Sequence, residues 1–196
     1  GARLYTFHPG FLTDPDGPSQ SGENYDFLWD DRLLDDSKPE RDKAFNRMLQ
    51  SMNVIAHRAS ALGVKIAVET EGSFRCPGHL LMQRPEEYER FFREFGPEDI
   101  GINLNIGHLP LSARVFGFSR EEFVDLTASR IVAMELSHNN ELDDQHFPLQ
   151  AEGWYWPLIC DRRFIEAYKI LEFRDTTLDQ VQKVIALFED RKIEVF

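Results

Sequence analysis

Five short apolar runs in this chain each lead to a side chain that can hold a cation or move a proton. Leu4–Phe7 leads to His8, Val64–Val68 to Glu69, Ile100–Leu104 to Asn105, Ile131–Met134 to Glu135, and Tyr168–Leu171 to Glu172. If the runs are parallel strands, their carboxyl ends share one side, which is where α/β proteins build their sites. Three carboxylates in one cleft repel one another, so they persist only with a cation between them or with shared protons. His108, three residues past Asn105, and the triplet Asp144-Gln145-His146, whose outer members a turn can aim at one ion, extend the set. Each of these residues also has a structural reading. A strand-end Glu can cap a helix or meet an Arg, His8 can brace the Pro-Gly turn after it, His108 can pack as a core residue, and His138 reads as a solvated loop histidine. Cys76-Pro77-Gly78-His79 lacks the second half of a zinc site. Trp154, Tyr155 and Trp156 read as packing, or as an aromatic wall suited to a sugar ring.

The elements that must position these groups follow from periodicity. Leu4-Tyr5-Thr6-Phe7 is a β-prone run stopped by Pro9-Gly10. The polar stretch Phe11–Asp36 reads as a long loop able to lie over a site. Ser37-Lys38-Pro39-Glu40 has the form of a capping box, and Phe45, Met48, Leu49, Met52, Ile55, Ala56, Ala59 and Leu62 then recur at helical spacing up to Gly63. Strands are expected near 64–69, 100–105, 131–136 and 168–172. Helices are expected from about Pro85 to Phe95, from the Ser119/Glu122 box, and from Thr177 through Phe188. No element is assigned between Asn105 and Ser119. Strands too apolar to be half exposed, alternating with helices, specify an α/β fold with a parallel sheet in a single domain over 1–196.

Composition narrows the function. With 22 Lys plus Arg against 34 Asp plus Glu, the formal charge is −12, which repels a phosphate backbone and argues against nucleic acid as a partner. No apolar run approaches the roughly 18 residues needed to cross a bilayer, so no membrane role is expected. Two cysteines do not make a disulfide framework, and this points to a reducing, cytoplasmic setting.

With these residues in view, the chain resembles the xylose-isomerase-like barrels, a superfamily that includes endonuclease IV and the metal-dependent sugar isomerases and epimerases. The resemblance rests on Phe7-His8-Pro9-Gly10, Ala67-Val68-Glu69-Thr70, Asn105-Ile106-Gly107-His108, Met134-Glu135-Leu136-Ser137-His138-Asn139, Asp144-Gln145-His146 and Ile170-Leu171-Glu172. It implies a (β/α)8 TIM barrel, incomplete here, with about five of eight strands and the N-terminal strands absent. A longer native chain, a partner chain or a homo-oligomer would then supply the rest. The resemblance also implies a divalent ion held by Glu69, Asn105, Glu135 and Glu172. Asn105 stands where the family has Asp and Glu135 where it has His, and His138 is an alternative occupant of the latter role. Three carboxylates and an amide favour Mn²⁺ or Mg²⁺ over Zn²⁺. His8, His108, Asp144 and His146 match positions that hold further zinc ions in endonuclease IV and orient substrate in the sugar enzymes.

The activity implied is a metal-dependent sugar or sugar-phosphate isomerase or epimerase. Its Glu69 and Glu172 would pass a proton on the two faces of an enediolate, while His8, His108, His138, Asp144, His146 and Trp154 bind substrate. Two competing expectations stand beside it: a non-catalytic, metal-free barrel that binds its ligand, and a multi-metal phosphodiester hydrolase.

Overall fold

The structure, a computed structural model, describes residues 2–18 and 25–193. In chain order, β1 (Leu4–Phe7) is followed by a minor hairpin, β2 (Gly17–Pro18) and β3 (Phe27–Leu28). Then come α1 (Lys38–Ala61), β4 (Lys65–Glu69), α2 (Pro85–Glu94), β5 (Gly101–Asn105), α3 (His108–Phe116) and α4 (Arg120–Thr127). The chain continues through β6 (Ile131–Leu136), the single turn α5 (Trp156–Ile159), β7 (Tyr168–Leu171) and α6 (Leu178–Asp190). Strands β1, β4, β5, β6 and β7 pair in that order, all parallel, and curl into a half-barrel. Among the described residues β1 and β7 are its outer strands.

Strand alternation decides what each face carries. Ile66, Val68, Ile102, Leu104, Met134 and Leu136 meet Phe45, Met48 and Met52 of α1, Tyr88 and Phe91 of α2, and Val184 and Phe188 of α6 in one apolar core. The intervening positions Ala67, Glu69, Asn103, Asn105, Ala133 and Glu135 lie on the opposite face, where Glu69 registers with Asn103 and Asn105 with Glu135. Polar residues are therefore stacked at the carboxyl ends of the central strands, above small alanines.

The helices form largely where periodicity places them. Gly63, at φ 65°, closes the α1 turn in the left-handed region that only glycine enters freely. Thr177 and Gln180 cap α6 reciprocally, and Ser119 accepts from the Glu122 amide at the start of α4. Ser37 precedes α1 but makes no side-chain cap bond; instead its own amide donates to Asp35. Helix α3 is the element the sequence pattern does not announce. Its first turn holds His108 and Pro110, and six consecutive residues from His108 to Ala113 are buried, so no amphipathic stripe exists to read.

The polar stretch 11–36 is more ordered than a plain loop over the residues described, while its segment 19–24 lies outside them. The β2–β3 hairpin and a short 3-10 turn at Asp31–Leu33 fold it back on the sheet. Its anchor is His79, which is buried, stacks on Trp29 at 4.6 Å, and meets Thr13 at 3.0 Å and Asp31 at 2.9 Å. No helix among the described residues is long and apolar enough to cross a membrane.

Candidate functional site

At the carboxyl ends of β4, β5 and β6, Glu69, Asn105 and Glu135 stand side by side, all buried. The Asn105 side-chain nitrogen donates to Glu69 Oε1 at 2.9 Å and to Glu135 Oε2 at 3.3 Å. Asn103, two residues earlier on the same face, donates to Glu135 Oε1 at 2.7 Å. The Asn105 oxygen is turned the other way and accepts from the amides of Gly107, at 2.9 Å, and His108, at 3.1 Å, steering the chain into α3. Backbone N–H groups can face only an acceptor, so the network fixes which end of the amide points at the carboxylates.

A second line of polar groups crosses the cleft. His108 Nδ1 lies 2.9 Å from the Thr70 carbonyl, which can only accept, so that nitrogen carries the hydrogen. It is also 3.3 Å from Glu69. His108 Nε2 lies 3.6 Å from Asp144 Oδ2, which is 2.8 Å from His146 Nε2, and His146 Nδ1 is 3.3 Å from Glu172. Glu69, His108, Asp144, His146 and Glu172 thus form a continuous row of titratable side chains. His146 reaches two carboxylates because its backbone sits at φ 50°, a strained value for a residue with a Cβ, held by the Arg174 amide donating to the His146 carbonyl. At the other end, His8 donates toward Glu71 at 2.6 Å and lies 3.7 Å from Glu69.

The electrostatics divide the carboxyl groups. Burial pushes Glu69 up to about 8, with Glu71 and Glu135 adding to the rise and His108 opposing it. Burial also raises Glu135, helped by the charge of Glu172. Glu172 feels burial too, but the hydrogen bond and charge of His146 outweigh it and hold the carboxyl below its ordinary value. Asp144 goes the same way, since His108 and His146 overcome its burial. Both imidazoles respond in kind: despite burial, His146 rises to about 9 through Asp144 and Glu172, and His108 rises well above the usual range through Asp144 and Glu69. Glu69 is thus biased to hold a proton and Glu172 to stay ionised.

The two groups of candidate ligands differ as cation hosts. His108, Asp144 and His146 each offer one ligand atom, and those atoms lie within 4.8 Å of one another. The hydrogen bond from His108 Nδ1 to Thr70 is an outer contact that would leave Nε2 to face an ion once the ion displaces the Nε2 proton. That set fits a divalent ion. Between Glu69 and Glu135 the group presented is the Asn105 nitrogen, a hydrogen-bond donor. The Asn105 amide oxygen is taken up by the start of α3.

Of the residues singled out in the sequence, His8, Glu69, His108, Asp144, His146 and Glu172 line one cleft. Asn105 and Glu135 lie against Glu69 beneath it. His138 and Trp154 lie elsewhere. His138 pairs through its backbone with Phe147 and sets its ring against Tyr155. Trp154 stacks with Arg120 in a separate groove with Pro157 and Leu158. The cleft also includes Tyr25, Asp26, Phe27, Trp29, Glu71 and Arg174. Glu71 and Arg174 each follow a singled-out Glu by two residues, an alternation that was legible. The four residues from 25–29 come from a segment without periodicity and carry no such signal.

Comparison with known proteins agrees with this architecture. The chain superposes on a protein described as D-tagatose 3-epimerase-like with a TM-score of 0.67 at 20% identity, covering 97% of this chain and 62% of that one. It superposes on the TTHB071 protein of Thermus thermophilus, in a structure obtained by soaking with ZnCl2, with a TM-score of 0.57 at 16% identity, covering 97% and 63%. The chain therefore spans somewhat less than two thirds of the length of either protein. No curated protein sequence matches it. The profile described as xylose isomerase-like TIM barrel matches residues 1–162, the stretch that carries β1 to β6 and every cleft residue except Glu172 and Arg174. The five-stranded parallel half-barrel is consistent with an incomplete barrel of this type, and the chain belongs to the xylose isomerase-like TIM barrel family.

Proposed function

We propose that this chain forms the catalytic part of an isomerase or epimerase that moves a proton on the carbon beside the carbonyl of a sugar or sugar phosphate. One observation carries the reading: Glu69 and Glu172, at the ends of β4 and β7, stand at the two ends of a row of imidazole and carboxylate groups in one cleft, with opposite protonation bias. Their strands are three sheet steps apart, roughly 14 Å along a flat sheet and less across a curled one, at about 4.8 Å per step. A substrate carbon lying between them would be open to one carboxyl group from each side.

In this reading Glu172, kept ionised by His146, removes the proton, and Glu69, kept protonated by burial, returns one. With no ion bound, the imidazoles of His108 and His146 face the substrate oxygens as cations while charge develops on them. His8, braced by Glu71, faces the same cleft and orients a hydroxyl. Tyr25 and Trp29 form its outer wall and limit water. His108, Asp144 and His146 would hold a divalent ion, which supplies Lewis-acid polarisation of substrate oxygens when bound. Two nitrogens and one carboxylate suit Zn²⁺, whereas the expected set with Asn105 and Glu135 suited Mn²⁺ or Mg²⁺. The zinc-soaked neighbour and the neighbour described as tagatose epimerase-like support the ion class and the substrate class.

The test is interconversion of a panel of ketoses and their phosphates, followed by NMR, with and without added Zn²⁺ or Mn²⁺. Turnover lost in Glu172→Gln with the fold intact supports the reading, and turnover retained in that variant overturns it. The Asn105 network favours one other reading, a ligand-binding barrel without turnover. A sugar-dependent rise in Tm with no interconversion selects it.

A further inference from the structure

The geometry points to a neutral amide standing in place of a counter-ion at the strand ends: Asn105, with Asn103, replaces a cation between Glu69 and Glu135, so this chain takes up no metal ion there. This inference rests on the site described above for its location, but on hydrogen-bond geometry alone for its content.

Four observations make the case. First, the Asn105 nitrogen reaches both carboxylates, at 2.9 and 3.3 Å, and its two hydrogens match the two acceptors one to one. Second, both Glu135 oxygens are already engaged, Oε1 by Asn103 at 2.7 Å and Oε2 by Asn105. Third, rotating the Asn105 amide to offer its oxygen would bring two side-chain hydrogens against the Gly107 and His108 amides, which lie 2.9 and 3.1 Å from the present acceptor. That rotation would also strip the entry of α3 and displace His108. Fourth, Asn103 and Asn105 are fully buried on one face of β5, where among the described residues no Lys or Arg joins the hydrogen-bond network and the amides meet the carboxylates.

The chemistry of the side chain explains the outcome. A carboxylate at position 105 presents oxygen on both sides, so it can start the helix with one oxygen and turn the other on an ion. An amide presents oxygen on one side only, and the helix start claims it. The site is thereby changed from one that gathers a cation to one that links two carboxyl groups by neutral hydrogen bonds.

The experiment counts metal. The protein and four variants are equilibrated with Mn²⁺ or Zn²⁺, freed of unbound ion, and analysed by calorimetry and elemental analysis, with circular dichroism to establish the fold. The wild type is expected to hold one ion, to keep it in Glu135→Gln, and to lose it in His146→Ala. Asn105→Asp is expected to gain an additional ion, bound roughly tenfold or more tightly than any second ion in the wild type, a difference near 1.4 kcal/mol. Asn105→Ser, which keeps a helix-starting oxygen without two amide hydrogens, is expected to gain none. Loss of the wild-type ion in Glu135→Gln, or no gain in a folded Asn105→Asp, overturns the inference. If Asn105→Asp does not fold, the Glu135→Gln result decides alone. Because no turnover is read, these outcomes stand apart from the proposed activity: an inactive protein with this pattern of ions defeats the isomerase reading and keeps the amide.

Discussion

Asn105 and Glu69 meet amide to carboxylate at 2.9 Å, at the point where β5 turns into α3. One buried side chain thereby does two jobs: its nitrogen links two acidic groups and its oxygen starts a helix whose first residue, His108, belongs to the cleft. Removing it should be felt both in stability and in the position of His108. Asn105→Ala leaves buried acceptors on Glu69 and Glu135 and open amides at Gly107 and His108. At about 1–3 kcal/mol per buried unsatisfied group, with partial relaxation, a total near 3 kcal/mol is expected in urea unfolding. A cost under about 1 kcal/mol would show that the network is not holding this end of the sheet together.

Close approach behind the cleft gives a second prediction. A Cβ on Gly72 would lie 2.2 Å from the His108 carbonyl oxygen and 2.9 Å from its Cα, and neither is a flexible side chain that can swing aside. Gly72→Ala should therefore displace the start of α3, weaken ion binding to His108, Asp144 and His146 by tenfold or so, and lower Tm. Unchanged metal affinity in this variant would contradict the placement of His108.

Much of this arrangement was legible in the sequence, and the exceptions have physical causes. Glu69, Asn105, Glu135 and Glu172 stand at the ends of apolar runs, and a parallel sheet must put those ends together, so convergence followed from pattern alone. The direction of the Asn105 amide did not, because it depends on which backbone hydrogens lie behind it, and α3 has no amphipathic signature to reveal them. His138 and Trp154 illustrate the limit from the other side. Their residue types suit a sugar site, but the turn between β6 and β7 carries them away from the cleft, and nothing in local spacing encodes that path. The contribution of residues 25–29 was invisible for the same reason, since their place over the cleft is set by the distant stack of Trp29 on His79.

That stack yields a third prediction. His79→Ala removes the ring beneath Trp29 and the bonds to Thr13 and Asp31. The core should survive, while the 11–36 segment should become sensitive to protease and Trp29 fluorescence should shift to the red. Proteolysis as slow as in the wild type would show that the segment is anchored by other contacts.

The His8–Glu71 pair predicts a pH dependence of known sign. The hydrogen bond to Glu71 lifts His8 to about 9, above its unfolded value near 6.5. Its stabilising contribution is therefore complete below about 6.5 and is lost as pH rises through about 9. The His8 side chain is 47% exposed, so solvent screening reduces the effect to about 1 kcal/mol. The stability advantage of wild type over His8→Gln should narrow across that window. An advantage that widens from pH 6.5 to 9 would reverse the assignment.

The most direct test of proton transfer between Glu69 and Glu172 is solvent deuterium exchange at the carbon beside the substrate carbonyl, measured separately for the two members of an interconverting sugar pair. With one carboxyl group serving each face, the wild type should label both sugars. Glu172→Gln and Glu69→Gln should each slow labelling of one sugar by about 10²–10⁴-fold while labelling of the other is far less affected, and the spared sugar should differ between the two variants. Equal labelling of both sugars in either variant would contradict the account.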